Sequence, residues 1–389
     1  MGPYSPDTGT DSPDIGFTLG FGETITPKPE PRSDSDALTA ITAELTALLG
    51  PGWESLDAAI AMTVTDEAAQ IVLSNGEQAT LARPSAALLT ALREHRQLSA
   101  RAGGGPWWRF LAAVTRSGGV QVEYDFGAEP FPGDHLFPPP AYRADLETFP
   151  RDRLPVWLAA YIFDERSQVR TPADAFARSQ VEAEAGINAV RDNGTLPPLS
   201  VLWARWAVIS AAFVALKSPW GPRVTTALGW FEGAEHSGCS LHRLPGGRAV
   251  LSGGVWNAPE LDAHYNDKKP LPELYRGAPD WVAAPVLNPR AESGLLSFCY
   301  WWDTAGWMRG ESSAAEGLRT ALPGIWTTAD TVDVIAQLID DIDRTAVEML
   351  VLAAENSDAS RVHLSNALGH TASDIGGGYY QLMLAGVAK

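Results

Sequence analysis

The chain has 389 residues, 45% hydrophobic and 20% charged, with a net charge of −18. That length exceeds one ordinary core and suits two or three domains. The acidic balance repels nucleic-acid backbones and anionic membranes, so neither is expected as a partner; it suits a basic protein, or serves solubility alone.

In chain order, residues 1–35 are rich in Pro, Ser, Thr, Asp and Gly and read as a disordered tail. Within them Phe17, Leu19 and Phe21 alternate as a strand would. A first α+β unit is expected over 36–170. It opens with a helix whose apolar positions are Leu38, Ile41, Leu45, Leu48 and Leu49, stopped by Gly50-Pro51-Gly52. Strands are predicted at 56–64, 68–73 and 78–82, with Asn75-Gly76 marking a hairpin. A helix at 84–101 and strands at 107–115 and 119–125 follow, then an aromatic and Pro-rich loop over 126–140. A mostly polar helical linker is expected over 171–196.

The second unit is placed at 197–328. It opens with the very apolar helix 199–217, which contains Arg205. Strands are predicted at 224–231, 240–244 and 249–253, a helical segment at 258–275, and strands at 281–287 and 295–302. Residues 329–389 form a C-terminal helical segment, with helices at 329–342, 345–354 and 359–368; Ile375 onward is too Gly-rich at its start to place.

The two units read alike: Ala79, Trp108 and Trp157 have counterparts at a nearly constant offset in Ala249, Trp281 and Trp326. The fold class is therefore α+β, a tandem repeat of an α-β-β-β-α-β-β unit. Mostly antiparallel sheets are expected, with helices on one face and C-terminal helices added. The two sheets could join edge to edge. Only two cysteines are present, Cys239 and Cys299, which argues against a disulfide scaffold and for a reducing cytoplasm. The N-terminus has no basic start and apolar core, so no secretory signal is expected, and no apolar run reaches ~18 residues. Arg far outnumbers Lys, a bias that points to an actinobacterial source.

Several short motifs fall in a recognisable order: Pro51-Gly52-Trp53-Glu54 after the first helix, a meander and a long helix, the Trp107-Trp108 strand, a hairpin closing on Tyr124-Asp125, and Trp157 in a helical tail. In this order, residues 37–163 resemble the YezG-type immunity proteins of bacterial toxin systems, among them the actinobacterial immunity factor of an NAD-degrading necrotizing toxin. The second unit is a degenerate version in which Trp301-Trp302-Asp303 stands in place of Tyr-Asp. The resemblance implies a steric toxin-neutralising role, without catalysis.

The chemistry-bearing clusters are few. His236-x2-Cys239-x2-His242 is the densest set of metal-capable side chains, but it lacks a fourth ligand, and no metal is assigned. Asp340, Asp341 and Asp343 read as a solvated run on a helix. No serine elbow or phosphate loop appears, and no cofactor is called for. The expected function is that of a non-catalytic protein-binding factor, immunity-like or chaperone-like, that masks a toxin or secreted effector. The candidate partner-binding residues are Trp53, Glu54, Tyr124, Asp125, Phe126, Trp301, Trp302 and Asp303. Aromatics at those corners equally suit a core, with each Asp closing a turn. Two other readings remain open: an enzyme or small-ligand binder using the cleft between the units, and a subunit of a larger assembly that docks through the C-terminal helices.

Overall fold

The computed structural model describes residues 33–101, 103–164 and 166–389. The tail and its alternating Phe17, Leu19 and Phe21 lie outside the described residues. The chain is α+β, with two antiparallel sheets of five and seven strands.

Ser33 caps α1 (Asp34–Leu48): its Oγ accepts from the Asp36 N–H while Asp36 accepts from the Ser33 N–H, a reciprocal capping box. Ala37, Ile41 and Leu45 form the buried stripe. The meander β1 (Ser55–Met62), β2 (Glu67–Ser74) and β3 (Ala79–Ala82) turns at Gly76, whose φ of +85° a side chain would resist. The amphipathic helix α2 (Ala86–Leu98) then carries the chain back, so that β4 (Arg109–Thr115) pairs with β1 and β5 (Val120–Asp125) pairs with β4. Leu56, Ala58, Ile60, Ile71, Leu73, Phe110, Ala112 and Val114 point to α1 and α2 and form one core. Next come α3 (Pro139–Thr148) and α4 (Val156–Phe163). Asp145 of α3 is fully buried and meets Arg96 of α2 at 2.8 Å, tying these helices to the sheet.

The second part begins with α5 (Pro172–Glu184), a two-residue strand β6 (Val190–Arg191) and α6 (Leu199–Ala215). Then come β7 (Arg223–Val224), β8 (Leu228–Glu232), β9 (Gly238–Leu244), β10 (Arg248–Gly254) and α7 (Pro259–Asp267). The sheet finishes with β11 (Phe298–Trp302) and β12 (Trp307–Arg309). The helices α8 (Thr328–Ala336), α9 (Arg344–Glu355), α10 (Arg361–Leu368) and α11 (Ile375–Ala385) close the chain.

The strand orders differ between the two sheets. The first runs β3-β2-β1-β4-β5, the second β6-β12-β11-β10-β9-β8-β7. In the first, the returning hairpin docks on the opening strand of the meander; in the second, β11 docks on its last strand, β10. A matching order of elements in sequence thus gives two topologies, and the sheets stay separate rather than joining edge to edge. The predicted strand at 281–287 is a chain of 3-10 turns (Asp280–Ala283, Pro285–Leu287, Pro289–Ser293). Pro279, Pro285 and Pro289 lack the N–H groups a ladder needs. The predicted strand at 224–231 is split by a turn in which the Thr225 N–H donates to the Leu228 carbonyl.

Helices cover one face of the first sheet but both faces of the second are covered. Leu241, Ala249, Leu251, Phe298 and Tyr300 face α6 and the C-terminal helices. Val250, Cys299 and Trp301 face the 3-10 turns and α5. The predicted linker helix α5 is docked: Glu182 accepts from the Gly277 N–H at 2.6 Å, and Arg178 pairs with Glu273 at 2.8 Å. The Gly-rich segment left unplaced from sequence is α11, which crosses α6 closely. A Cβ at Gly378 would lie 2.6 Å from the Ala211 carbonyl oxygen and 2.8 Å from the Ala215 Cβ.

That approach gives a stability prediction. Gly378→Ala forces the two helices apart and lowers stability by about 1–3 kcal/mol. Gly317→Ala, where no atom lies within 4 Å of a new Cβ, leaves thermal unfolding near the parent value. Differential scanning calorimetry of the two variants checks the contrast.

Candidate functional site

The period-two alternation of β1, β2, β4 and β5 sends one set of side chains to the helices and the other set outward. Register puts Val72, Asp57, Ala113 and Gln121 in one outward row and Gln70, Ala59, Leu111 and Glu123 in the next. At the centre, Ala59 and Ala113 have little side chain to project, while Gln70, Val72, Leu111 and Gln121 stand around them. The result is a depression of 610 Å³ on the uncovered face. Leu81 of the edge strand β3 extends its apolar floor and is 70% exposed. Asp57 and Glu123 give it two exposed carboxylates and no cation lines it.

One end of this face is closed. Arg109 pairs with Asp125 across the β4–β5 register at 2.8 Å, and its Nε–H donates to His135 Nδ1 at 3.2 Å. The aromatic loop thereby lies over the end of the sheet, with Phe131 beneath the Arg109 guanidinium. Burial first, then the nearby Arg109 charge, lower the His135 pKa, which suits a ring that accepts a hydrogen bond.

The sequence-predicted residues do not gather in one place. Trp53 and Glu54 precede Ser55 at one end of β1. Tyr124 and Asp125 lie beside Arg109, which registers with Ala61 six residues further along, about 20 Å away. Tyr124 is half-buried: its ring stacks on His95 at 5.4 Å and its hydroxyl lies 3.2 Å from His95 Nε2. Phe126 and Trp53 lean on the first core. On the other sheet Trp301 is buried at 1% exposure, and Trp302 meets Trp307 edge-on at 5.4 Å. Asp303 is exposed and accepts from the Ala305 N–H, closing its turn. Trp301 therefore holds the second sheet to its 3-10 cover and offers no surface to a partner.

The His236, Cys239 and His242 set is dispersed by the strand pleat. Cys239 registers with Gly253 and faces α6, whereas His242 registers with Val250 and faces the opposite side. His236 sits in the preceding turn against Trp256 and Glu129. Among the described residues no group of three His, Cys, Asp or Glu side chains could hold a metal ion. Both thiols are buried, which pushes their pKa values up and away from reactivity. Asp340, Asp341 and Asp343 occupy the turn between α8 and α9 rather than a helix, and Asp343 caps α9. Among the described residues no helix is long and apolar enough to cross a membrane.

The uncovered face itself was missed in the sequence. Its signal was available: Asp57, Ala59 and Ala61 alternate with Leu56, Ala58 and Ile60, and Ala112-Ala113 repeats the small-residue theme. No protein-family model matches the chain, and no curated protein is detectably similar to it.

His95 gives a pH prediction. Its Nδ1 accepts from the Trp107 Nε1–H at 3.1 Å, so the neutral ring carries its proton on Nε2, toward Asp34 and Tyr124. Burial depresses its pKa below the usual 6.5, with Asp34 opposing. A depressed folded pKa means the unfolded chain takes up the proton first. The stabilisation is present above about pH 6.5 and is lost as pH falls below that value through the folded pKa. His95→Gln flattens the fall in urea midpoint between about pH 7.5 and 5; an identical slope in parent and variant contradicts the assignment.

Proposed function

We propose that the chain is a non-catalytic, cytoplasmic protein-binding factor of immunity or chaperone type that masks a basic toxin or secreted effector. The observation that carries this reading is the contrast between the sheets: the second is covered on both faces, whereas among the described residues the first leaves most of one face open, closed only at the Arg109 end, with an apolar floor and a carboxylate rim. An uncovered antiparallel face is ordinarily polar; this one is centred on Ala59, Ala113, Val72, Leu111 and Leu81. Asp57 and Glu123 steer a cationic surface in, and the apolar floor supplies affinity as it dries. Trp53 and Glu54 lie at one end of this sheet and Tyr124, Asp125 and Phe126 at the other, with the Trp53, Tyr124 and Phe126 rings on its helix-covered side, while Trp302 and Asp303 stand on the other sheet. The order of motifs shared with YezG-type immunity proteins supports the same reading, and the two free, buried thiols suit the cytoplasm. The excess of Arg over Lys supports an actinobacterial source.

The test is titration calorimetry against each basic product of the genes adjacent to this one. Ala59→Arg with Ala113→Arg fills the depression and reverses its charge, and affinity falls by about 100-fold or more. Glu348→Arg on the exposed side of α9 leaves it unchanged. Equal binding by the double variant removes the open face as the docking surface, and failure of any adjacent basic product to bind removes the masking role.

A further inference from the structure

A second concavity lies at the seam of the two sheet units, separate from the open face. It holds 300 Å³, at the lower end of the ~300–1,000 Å³ range of ligand pockets. Its walls carry aromatic rings from both sides: Phe131, Trp157 and Tyr161 from the first unit and Trp256 from the second. Asp164 and Glu292 bring carboxylates to its lining.

The polar ends of Trp157 and Tyr161 are already engaged. Trp157 Nε1–H donates to the Gly127 carbonyl at 2.8 Å, and the Tyr161 O–H donates to the Phe137 carbonyl at 2.9 Å. Phe131 stands edge-on to Trp157 at 5.2 Å, which fixes both rings. At Phe131, Trp157 and Tyr161 a ligand therefore meets ring surface rather than free donors. Asp164 is held in place by the backbone N–H groups of Arg166 and Ser167 and by the Ser167 hydroxyl. Arg166 approaches Glu292 at 3.8 Å with both side chains well exposed, so the lining retains an excess of negative charge.

These properties select a ligand class. An anion meets two carboxylates. A sugar or nucleotide finds too few free hydrogen-bonding groups. A neutral apolar molecule desolvates the carboxylates without compensation. A cation with an apolar shell satisfies both, because ring faces and carboxylates attract the same charge. We propose that the seam cleft binds a small alkylated ammonium ion, such as a quaternary ammonium or a methylated amine.

Choline and its uncharged isostere 3,3-dimethylbutan-1-ol are the probes, titrated into the full chain by calorimetry and followed by Trp fluorescence. Choline is expected to bind saturably, one per chain, and roughly tenfold or more tighter than the isostere. Trp256→Ala reduces choline affinity by a similar factor, whereas Trp256→Phe, which keeps a ring, retains most of it. Glu292→Gln changes an exposed side chain and weakens choline severalfold without touching the fold, so it serves should Trp256→Ala unfold. Equal affinity for the two probes, no saturation by about 10 mM choline, or choline binding unaffected by Glu292→Gln and Trp256→Phe→Ala comparison overturns the proposal. None of these outcomes bears on the open face, which Trp256 and Glu292 do not line.

Discussion

The placement of α6 sets most of the second half of the molecule. This helix is apolar around nearly its whole circumference, so no single neighbour can cover it. The seven-stranded sheet covers one side; α8, α9 and α11 must supply the others, which is why the chain continues in helices after β12. Two details make the arrangement close. Gly378 lets the α11 backbone approach α6 to a distance any side chain would forbid. Arg205, the one cation in the helix, pairs with Glu355 of α9 at 2.7 Å and donates to the Ile325 and Trp326 carbonyls. A half-buried guanidinium without those acceptors would oppose the packing that the apolar residues drive. The buried sides of α8 and α9 face this core, while Met349 and Leu352 of α9 stay exposed.

The same rule of covered faces separates the two sheets. In the second, both sets of alternating side chains are apolar, Leu251 and Tyr300 to one side and Val250 and Trp301 to the other, and each set has a cover. In the first, the inward set is apolar throughout and is covered by one helical layer, while the outward set mixes small, polar and a few apolar side chains. The open face is thus a consequence of side-chain size at alternate positions. Its alanines leave a hollow because the residues on their flanks are longer.

Most elements were legible in the sequence because their signals are local. The Asn75-Gly76 turn, the positions Ile41 and Leu45 of the first helix, and the alternation in β4 each follow from neighbours a few residues away, whereas Ala37 is buried in place of the expected Leu38. The strand order was not legible. Whether β4 returns to β1, or β11 to β10, depends on where a helix packs between them, and nothing in the strands themselves records that choice. The same gap explains the candidate site. Aromatic–acid pairs at strand ends are as good for finishing a core as for meeting a partner, and Trp301 shows the first use. Cys239 and His242, three apart, leave opposite faces as a period of two requires, because the strand starts at Gly238 rather than at the expected Ser240. The sequence marks the seam between the units only as a place; its aromatic lining combines rings of the first unit with Trp256, which lies far from them in the chain.

That seam is held by contacts of unequal weight. Arg153 reaches Asp262 and Asp267 of α7, but all three are substantially exposed, and such pairs add little. The stronger ties are amide side chains that pair with the backbone of the other unit. Gln168 donates to the Leu296 carbonyl at 2.7 Å and accepts from its N–H at 2.9 Å, in a buried setting. Asn266 makes the same reciprocal pair with Leu154 at 2.9 and 3.0 Å. Each bond contributes about 1 kcal/mol net, and leaving a buried partner unmet costs more. A reciprocal pair also fixes direction, as one step of a strand ladder does. Gln168 lies four residues beyond Asp164, and Leu296 adjoins the cleft residue Leu295. The spacing of the aromatic walls is therefore set by these amide pairs, while the exposed ion pairs at Arg153 follow the alignment they impose.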